Sequence, residues 1–215
     1  MVTDSLLMYC RFLWFVLTLL VCGSAAAAPR PVLVLGDSLS AAHGIAVESG
    51  WVNLLAERLQ KSPQTRAVVN ASISGETTSG GLARLPNLLS ESHPALVVVE
   101  LGANDALRGL PIAEIKSNLA RIIAASRAAD ARVVLLGIEL PINYGPRYRD
   151  DLRSMYRDLA SEFKLPLLPF LLDGVALDPN LMQADGLHPT AAAQPRVLEN
   201  VCSVLIPVLN KLPES

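Results

Sequence analysis

A serine, an aspartate and a histidine in two short polar segments have the residue types that nucleophilic catalysis needs. Ser38 lies in GDSLS near the start of the chain, and Asp185 and His188 lie in DGLHP near its end. A serine hydroxyl becomes a good nucleophile only when a neighbouring base accepts its proton, and histidine, which titrates near neutral pH, suits that task. An aspartate beside the histidine can hold the required tautomer and stabilise the imidazolium. These residues predict acyl transfer through a covalent intermediate on Ser38.

Acyl transfer also needs hydrogen-bond donors for the charge that develops on the carbonyl oxygen. The backbone N–H groups of Ser38 and Gly75 and the side-chain amide of Asn104 are the candidates. Each residue taken alone has a simpler structural explanation, since serine and glycine are common in turns and asparagine can cap a helix. Their occurrence after successive apolar runs favours the catalytic interpretation. We expect the side chain of Asp37 to point away and hold the loop, and His43 to be structural rather than a second base.

The rest of the chain alternates short apolar runs with amphipathic stretches. Five runs predict strands at Val32–Leu35, Ala67–Asn70, Leu96–Glu100, Val133–Leu136 and Leu165–Leu168, the last at a sheet edge because it contains Pro166. Helical spacing of apolar residues predicts helices around 51–59, 112–123, 148–159 and 197–205. Continuous rather than alternating apolar runs are typical of strands covered on both faces.

This alternation predicts an α/β fold with a doubly wound sheet and helices on both sides. No repeat or change in composition divides the chain after residue 28, so residues 28–215 are expected to form one domain. Ligands bind beyond the carboxyl ends of the strands in such sheets. Ser38, Gly75 and Asn104 each follow a predicted strand, so we expect them to meet at that edge.

The composition excludes several classes of protein. The chain has 20 acidic and 18 basic residues, a formal charge of −2, without the basic excess of a nucleic-acid-binding protein. Three cysteines exclude a disulfide scaffold, and three histidines leave little room for a multi-histidine metal site. We therefore predict no cofactor, no metal and no nucleic-acid partner.

The first 27 residues have the pattern of a secretory signal peptide. Arg11 precedes the apolar run Phe12–Cys22, and an alanine-rich segment follows it. We expect cleavage after Ala27 and a periplasmic or secreted mature protein. An uncleaved anchor, a lipid anchor on Cys22 and a start at Met8 are the alternatives.

The polar segments together closely resemble the SGNH (GDSL) hydrolase family. The four blocks of that family are matched in order by GDSLS with Ser38, NASISGETTSGG with Gly75, GAND with Asn104, and DGLHP with Asp185 and His188. The likeness extends over residues 32–208 and is nearest to the secreted bacterial thioesterase/lysophospholipase/arylesterase branch. It implies a three-layer α/β/α sandwich with a flavodoxin-like, mostly parallel sheet of about five strands. It also implies a Ser38–Asp185–His188 triad and an oxyanion hole of Ser38, Gly75 and Asn104.

Two apolar loops are expected to shape the substrate pocket, at residues 106–111 and 141–146. The predicted substrate-binding residues are Leu107, Leu110, Pro141, Ile142 and Tyr144. An apolar cleft beside a triad suits a fatty acyl chain. We therefore predict hydrolysis of acyl esters and thioesters, including lysophospholipids and aryl esters, by a monomer that can contact a membrane surface transiently.

The residue pattern is also compatible with other functions. A carbohydrate O-deacetylase would keep the same triad and change only the substrate. A metal-dependent phosphoesterase would use acidic residues of the same blocks with His188, although such sites usually contain several histidines. A third alternative is a non-catalytic binding protein of the cell envelope, but this function would not explain why the chain has the complete set of catalytic residue types.

Overall fold

The computed structural model describes residues 28–62 and 65–212. The predicted signal peptide, residues 1–27, lies outside the described residues. In the described ranges, no helix is both long enough and apolar enough to cross a membrane.

Five parallel strands form one sheet, which confirms the predicted α/β fold. The strands are β1 (Val32–Gly36), β2 (Val68–Asn70), β3 (Leu96–Glu100), β4 (Arg132–Leu136) and β5 (Leu167–Leu168). Their order in the sheet is β2-β1-β3-β4-β5, the flavodoxin-like order. All four pairings are parallel, so the sheet is wholly rather than mostly parallel. Strand β5 lies at an edge, as predicted, but it is shorter than the predicted run Leu165–Leu168, because it begins only after Pro166.

Six α-helices lie between or after the strands in the described part of the chain. They are α1 (Trp51–Gln60), α2 (Thr78–Ser92), α3 (Ala103–Leu107), α4 (Ile112–Ala128), α5 (Pro146–Glu162) and α6 (Gln194–Leu209). Helices α1, α4, α5 and α6 correspond to the four predicted helical patterns. Helix α2 was not predicted, because Gly80, Gly81 and Pro86 interrupt its sequence. Thr77 caps this helix by accepting a hydrogen bond from the backbone N–H of Gly80.

The sheet is buried on both faces, which makes three layers. On one face, Trp51 and Leu55 of α1 and Val201 of α6 pack against Val34 and Val98 of the sheet. On the other face, helices α2, α4 and α5 cover the alternate strand residues. Every residue of β1 and β3 is buried, so the apolar side chains of these central strands leave water completely. The two cores fix the carboxyl ends of the strands, where the polar segments emerge.

Candidate active site

The three residues predicted to form a triad are hydrogen-bonded in a line. Ser38 follows the end of β1, and its Oγ lies 2.9 Å from Nε2 of His188. The other ring nitrogen of His188, Nδ1, lies 2.6 Å from Oδ2 of Asp185. A line of this kind can remove the proton of the hydroxyl while the aspartate stabilises the imidazolium. The geometry is therefore that of an activated serine nucleophile.

Asp185 is tied to the histidine by its local turn as well as by the ring contact. Its Oδ1 accepts hydrogen bonds from the backbone N–H groups of Leu187 (2.9 Å) and His188 (3.0 Å). The hydrogen bond with the His188 ring, together with these two backbone bonds, lowers the pKa of Asp185 to about 2. Asp185 is thus a carboxylate throughout the neutral range, as an acceptor for an imidazolium requires.

The structure brings the predicted oxyanion-hole residues to the same cleft as Ser38. Gly75 and Asn104 both line it, in the loop after β2 and at the start of α3. Gly75 has φ +81°, a conformation that favours glycine. Its carbonyl oxygen accepts a hydrogen bond of 3.2 Å from Arg108, which links this loop to the end of α3. Backbone and amide donors beside a serine hydroxyl can stabilise negative charge on a carbonyl oxygen.

Asn104 is oriented by Asp37, the residue before Ser38. Its side-chain Nδ2 donates to Oδ2 of Asp37 at 3.1 Å, and Oδ1 of Asp37 accepts from the backbone N–H of Leu39 at 3.0 Å. Asp37 is fully buried. The expectation that it holds the loop agrees with these bonds, but its bond to Asn104 gives it a second partner that the sequence did not indicate.

A second buried carboxyl group, Glu100, lies beneath the loop that carries Ser38. Its Oε2 accepts hydrogen bonds from the backbone N–H of Asp37 (3.2 Å) and from the Ser40 hydroxyl (2.8 Å). Burial raises the pKa of Asp37 to about 6, and burial together with the nearby Asp37 raises the pKa of Glu100 well above its usual range. The two adjacent buried carboxyl groups thus make the charged form of Glu100 less favourable than it is in water.

A buried aspartate also fixes the relative positions of the two segments that carry Gly75 and Asn104. Asp105 accepts hydrogen bonds from the Thr78 hydroxyl (2.6 Å) and from the Thr78 backbone N–H (2.9 Å) at the start of α2. This pairing occupies both oxygens of a carboxylate that would otherwise be a candidate metal ligand. In the described ranges, no group of three or more histidine, cysteine or acidic side chains is placed to hold a metal ion.

The cleft of about 270 Å³ above Ser38 has a largely apolar wall. That wall is formed by Leu107, Ile138, Leu140, Pro141, Phe170, Leu172 and Leu187. Of the predicted substrate-binding residues, Leu107 and Pro141 thus line the cleft. Leu110, Ile142 and Tyr144 do not belong to its wall. Ile142 is 82% exposed, and the Tyr144 hydroxyl instead donates to the backbone carbonyl of Leu107.

Glu139 and His43 also line the cleft, although neither was predicted as a site residue. Glu139 is paired with Arg153, with one contact of 2.6 Å, so its charge is compensated. His43 packs its ring against the ring of His188, with centroids 4.3 Å apart. His43 lies five residues after Ser38 in an irregular turn. The sequence spacing of the two residues therefore does not indicate that they share a site. Only the tertiary structure shows that His43 belongs to the site.

Comparisons with known proteins identify a family and close relatives. The GDSL-like lipase/acylhydrolase family matches residues 34–195. The chain is 54% identical to an esterase TesA of Pseudomonas aeruginosa over 183 residues, 85% of this chain and 91% of the relative. It is 46% identical to an arylesterase of Vibrio mimicus over 191 residues, 88% of this chain and 96% of the relative. It is 44% identical to thioesterase 1/protease 1/lysophospholipase L1 of Escherichia coli over 185 residues, 86% of this chain and 88% of the relative.

The fold agrees with a solved structure. A crystal structure of TesA matches with a TM-score of 0.81 and 53% sequence identity, covering 83% of this chain and 99% of that one. The sheet and the flanking helices are therefore shared with a relative of high sequence identity.

Proposed function

The chain belongs to the GDSL-like lipase/acylhydrolase family, and we propose that it hydrolyses acyl esters and thioesters through a covalent acyl intermediate on Ser38. It is a carboxylic ester hydrolase, like the esterase and the arylesterase to which it is similar. The observation that carries the proposal is the hydrogen-bonded line from Ser38 through His188 to Asp185, at the base of an apolar cleft.

In the first half of the reaction, Oγ of Ser38 attacks the carbonyl carbon of the ester and its proton passes to Nε2 of His188. The carbonyl oxygen becomes negatively charged, and the N–H groups of Ser38 and Gly75 and the side-chain amide of Asn104 stabilise it. When the intermediate collapses, the bond to the leaving oxygen or sulfur breaks and His188 returns the proton to it. The alcohol or thiol departs, and the acyl group stays on Ser38.

In the second half, water replaces the leaving group. His188 removes a proton from the water molecule, whose oxygen attacks the acyl carbon of Ser38. Collapse of this second intermediate releases the carboxylic acid and returns the proton to Oγ. Asp185, with its pKa near 2, remains ionised and balances the imidazolium in both halves.

The apolar wall of the cleft favours substrates with an alkyl acyl chain. Each buried methylene contributes about 0.8 kcal/mol of binding free energy, so a medium-length chain binds more tightly than an acetyl group. We propose aryl esters, acyl thioesters and lysophospholipids as substrates, consistent with the names of the relatives. Thioester hydrolysis is a capacity rather than the main role if the protein is periplasmic, where coenzyme A thioesters are scarce.

We propose further that residues 1–27 direct export and are removed, leaving a periplasmic or secreted enzyme. The proposed triad and oxyanion donors all come from one chain, which supports a monomer as the active form. Transient contact with a membrane surface would bring lipid substrates to the cleft.

The proposal is tested with the purified mature protein and its Ser38→Ala variant. We expect the variant to lose p-nitrophenyl butyrate hydrolysis by at least about 10⁴-fold, since a triad acts as a unit, with an unchanged melting temperature. A variant that keeps most of the wild-type turnover would refute the assignment of the nucleophile. A panel of acyl chain lengths and leaving groups, with acetylated xylan included, separates this activity from carbohydrate O-deacetylation.

A further inference from the structure

His43 is placed directly against the proposed general base. The two imidazole rings have centroids 4.3 Å apart and planes inclined by 38°. The His43 side chain lines the cleft and is exposed to solvent. It is therefore a side chain that a bound substrate can meet immediately beside the His188 ring.

The backbone of His43 is held in place by the segment that carries His188. The side-chain Nε2 of Gln183 donates to the carbonyl oxygen of His43 at 2.8 Å and to that of Pro189 at 3.0 Å. Ala42 has φ +57°, which is uncommon for a residue other than glycine and persists only when the surroundings fix it. These contacts couple the position of His43 to that of the base.

The proposed reaction determines which part of the substrate lies near His43. His188 has to return its proton to the leaving oxygen, so this oxygen must come within hydrogen-bonding distance of Nε2 of His188. The His43 ring packs against the ring of His188. The alcohol part of the ester therefore lies in the region that His43 borders.

The sheet order separates this region from most of the apolar wall of the cleft. His43 and Ser74 belong to the loops after β1 and β2, towards one edge of the sheet. Leu107, Leu140 and Phe170 follow β3, β4 and β5, towards the other edge. An acyl chain that occupies the apolar end leaves the polar end, with His43, for the alcohol.

His43 has a ring nitrogen that can serve the substrate. Its Nδ1 lies 3.4 Å from the hydroxyl oxygen of Ser74. When Nδ1 accepts from this hydroxyl, the neutral ring carries its proton on Nε2 and donates from that atom.

We propose that His43 is a substrate-binding residue that donates a hydrogen bond to the alcohol part of the ester. It thereby favours esters whose alcohol carries oxygen acceptors, such as glycerol esters, over esters of simple alkanols. This inference depends on the proposed function, because it takes the position of the leaving group from the proposed reaction.

The test compares two substrates with the same acyl chain, monooctanoylglycerol and ethyl octanoate, by the kcat/KM of the mature protein. His43→Phe keeps a ring of similar shape against His188 but removes the donor. We expect it to lower kcat/KM for the glycerol ester about fivefold more than for the ethyl ester, the size expected for one neutral hydrogen bond. Val47→Ala, at a 61% exposed position of the same segment, is the matched control and keeps the wild-type ratio.

The inference is overturned if His43→Phe leaves the ratio of the two kcat/KM values at the wild-type level. In that case, His43→Ala identifies the role of the ring. An equal decrease of kcat/KM for both esters would mean that the His43 ring only supports His188 by packing. Failure of the proposed function looks different. In that case the wild-type protein hydrolyses neither ester, or Ser38→Ala retains the activity.

Discussion

Oδ2 of Asp37 accepts a hydrogen bond of 3.1 Å from the side-chain amide of Asn104, so the residue before the nucleophile orients a donor of the proposed oxyanion hole. The same carboxyl group accepts from the backbone of Leu39 and is completely buried. The loop that carries Ser38 and the start of α3 are thereby joined through one side chain.

This relationship predicts coupling between Asp37 and Asn104 in catalysis. Asn104→Ala removes a donor and is expected to lower kcat about 10²- to 10³-fold. Asp37→Asn removes the acceptor charge and should lower kcat about tenfold in the wild-type background, because Asn104 is then less well oriented. In the Asn104→Ala background the same change should have little further effect on kcat. Full additivity in this double-mutant cycle, measured on p-nitrophenyl butyrate, would contradict the assigned relationship.

The buried carboxyl pair predicts an unusual dependence of stability on pH. The pKa of Glu100 is raised well above its usual value of 4.5. Between pH 4.5 and this raised pKa, the native state therefore keeps a proton that the unfolded state has released. The stability that this proton contributes is fully present below about pH 4.5 and is lost as the pH rises through the folded-state pKa. Asp37, whose pKa is raised from 3.8 to about 6, changes stability in the same direction between these values.

Glu100→Gln removes one of these two titrations and nearly preserves the size of the side chain. Over pH 4.5–8, we expect the unfolding free energy of the wild type, measured in urea, to fall relative to that of the variant as the pH rises. A change in unfolding free energy that the substitution causes equally at every pH does not affect this comparison, because only the pH dependence is compared. Parallel pH profiles for the two proteins would show that folding does not raise the pKa of Glu100.

The two loop leucines predicted from the sequence provide a matched test of the acyl-binding wall. Leu107 lines the cleft, whereas Leu110 does not belong to its wall. Leu107→Ala should lower kcat/KM for a decanoyl ester about fivefold more than for a butyryl ester, because it removes apolar surface from the long chain only. Leu110→Ala should leave the ratio of the two esters at the wild-type value. Equal chain-length profiles for both variants would mean that the acyl chain binds elsewhere.

The proposed export signal predicts a specific mature N-terminus. Processed protein from a cell-envelope fraction is expected to begin at Ala28, because cleavage after Ala28 would place Pro29 across the scissile bond. N-terminal sequencing decides this. Retention of Met1 or Met8 would favour the uncleaved anchor.

The fold was largely predictable because its central strands are buried on both faces and therefore have continuous apolar sequences, as in Leu96–Glu100. Helix α2 was missed because Gly81 is required by close packing, where an added Cβ would lie 2.5 Å from the Leu101 side chain. Glycine is required at this position by tertiary packing, and it interrupts the apolar periodicity by which a helix is recognised in a sequence. The expected clustering of the polar segments at one sheet edge agrees with the structure, since the carboxyl ends of parallel strands share that edge.

The parts of the site that the sequence did not indicate depend on contacts between distant segments. Glu100 looks like an ordinary strand end until the sheet places it under Asp37, 63 residues earlier in the chain. His43 and His188, whose rings are in contact, lie 145 residues apart in the sequence. Residue types within a motif can be recognised one segment at a time, whereas such pairings exist only after folding.

Ser38 is proposed to be the nucleophile, activated by His188. The most direct measurement is mass spectrometry of the mature protein after reaction with a fluorophosphonate, which modifies activated serine hydroxyls. We expect one adduct, on the peptide that contains Ser38, and labelling slowed at least about 100-fold in His188→Ala, which lacks the general base. An adduct on another residue, or equal labelling of Ser38→Ala, would contradict the assignment.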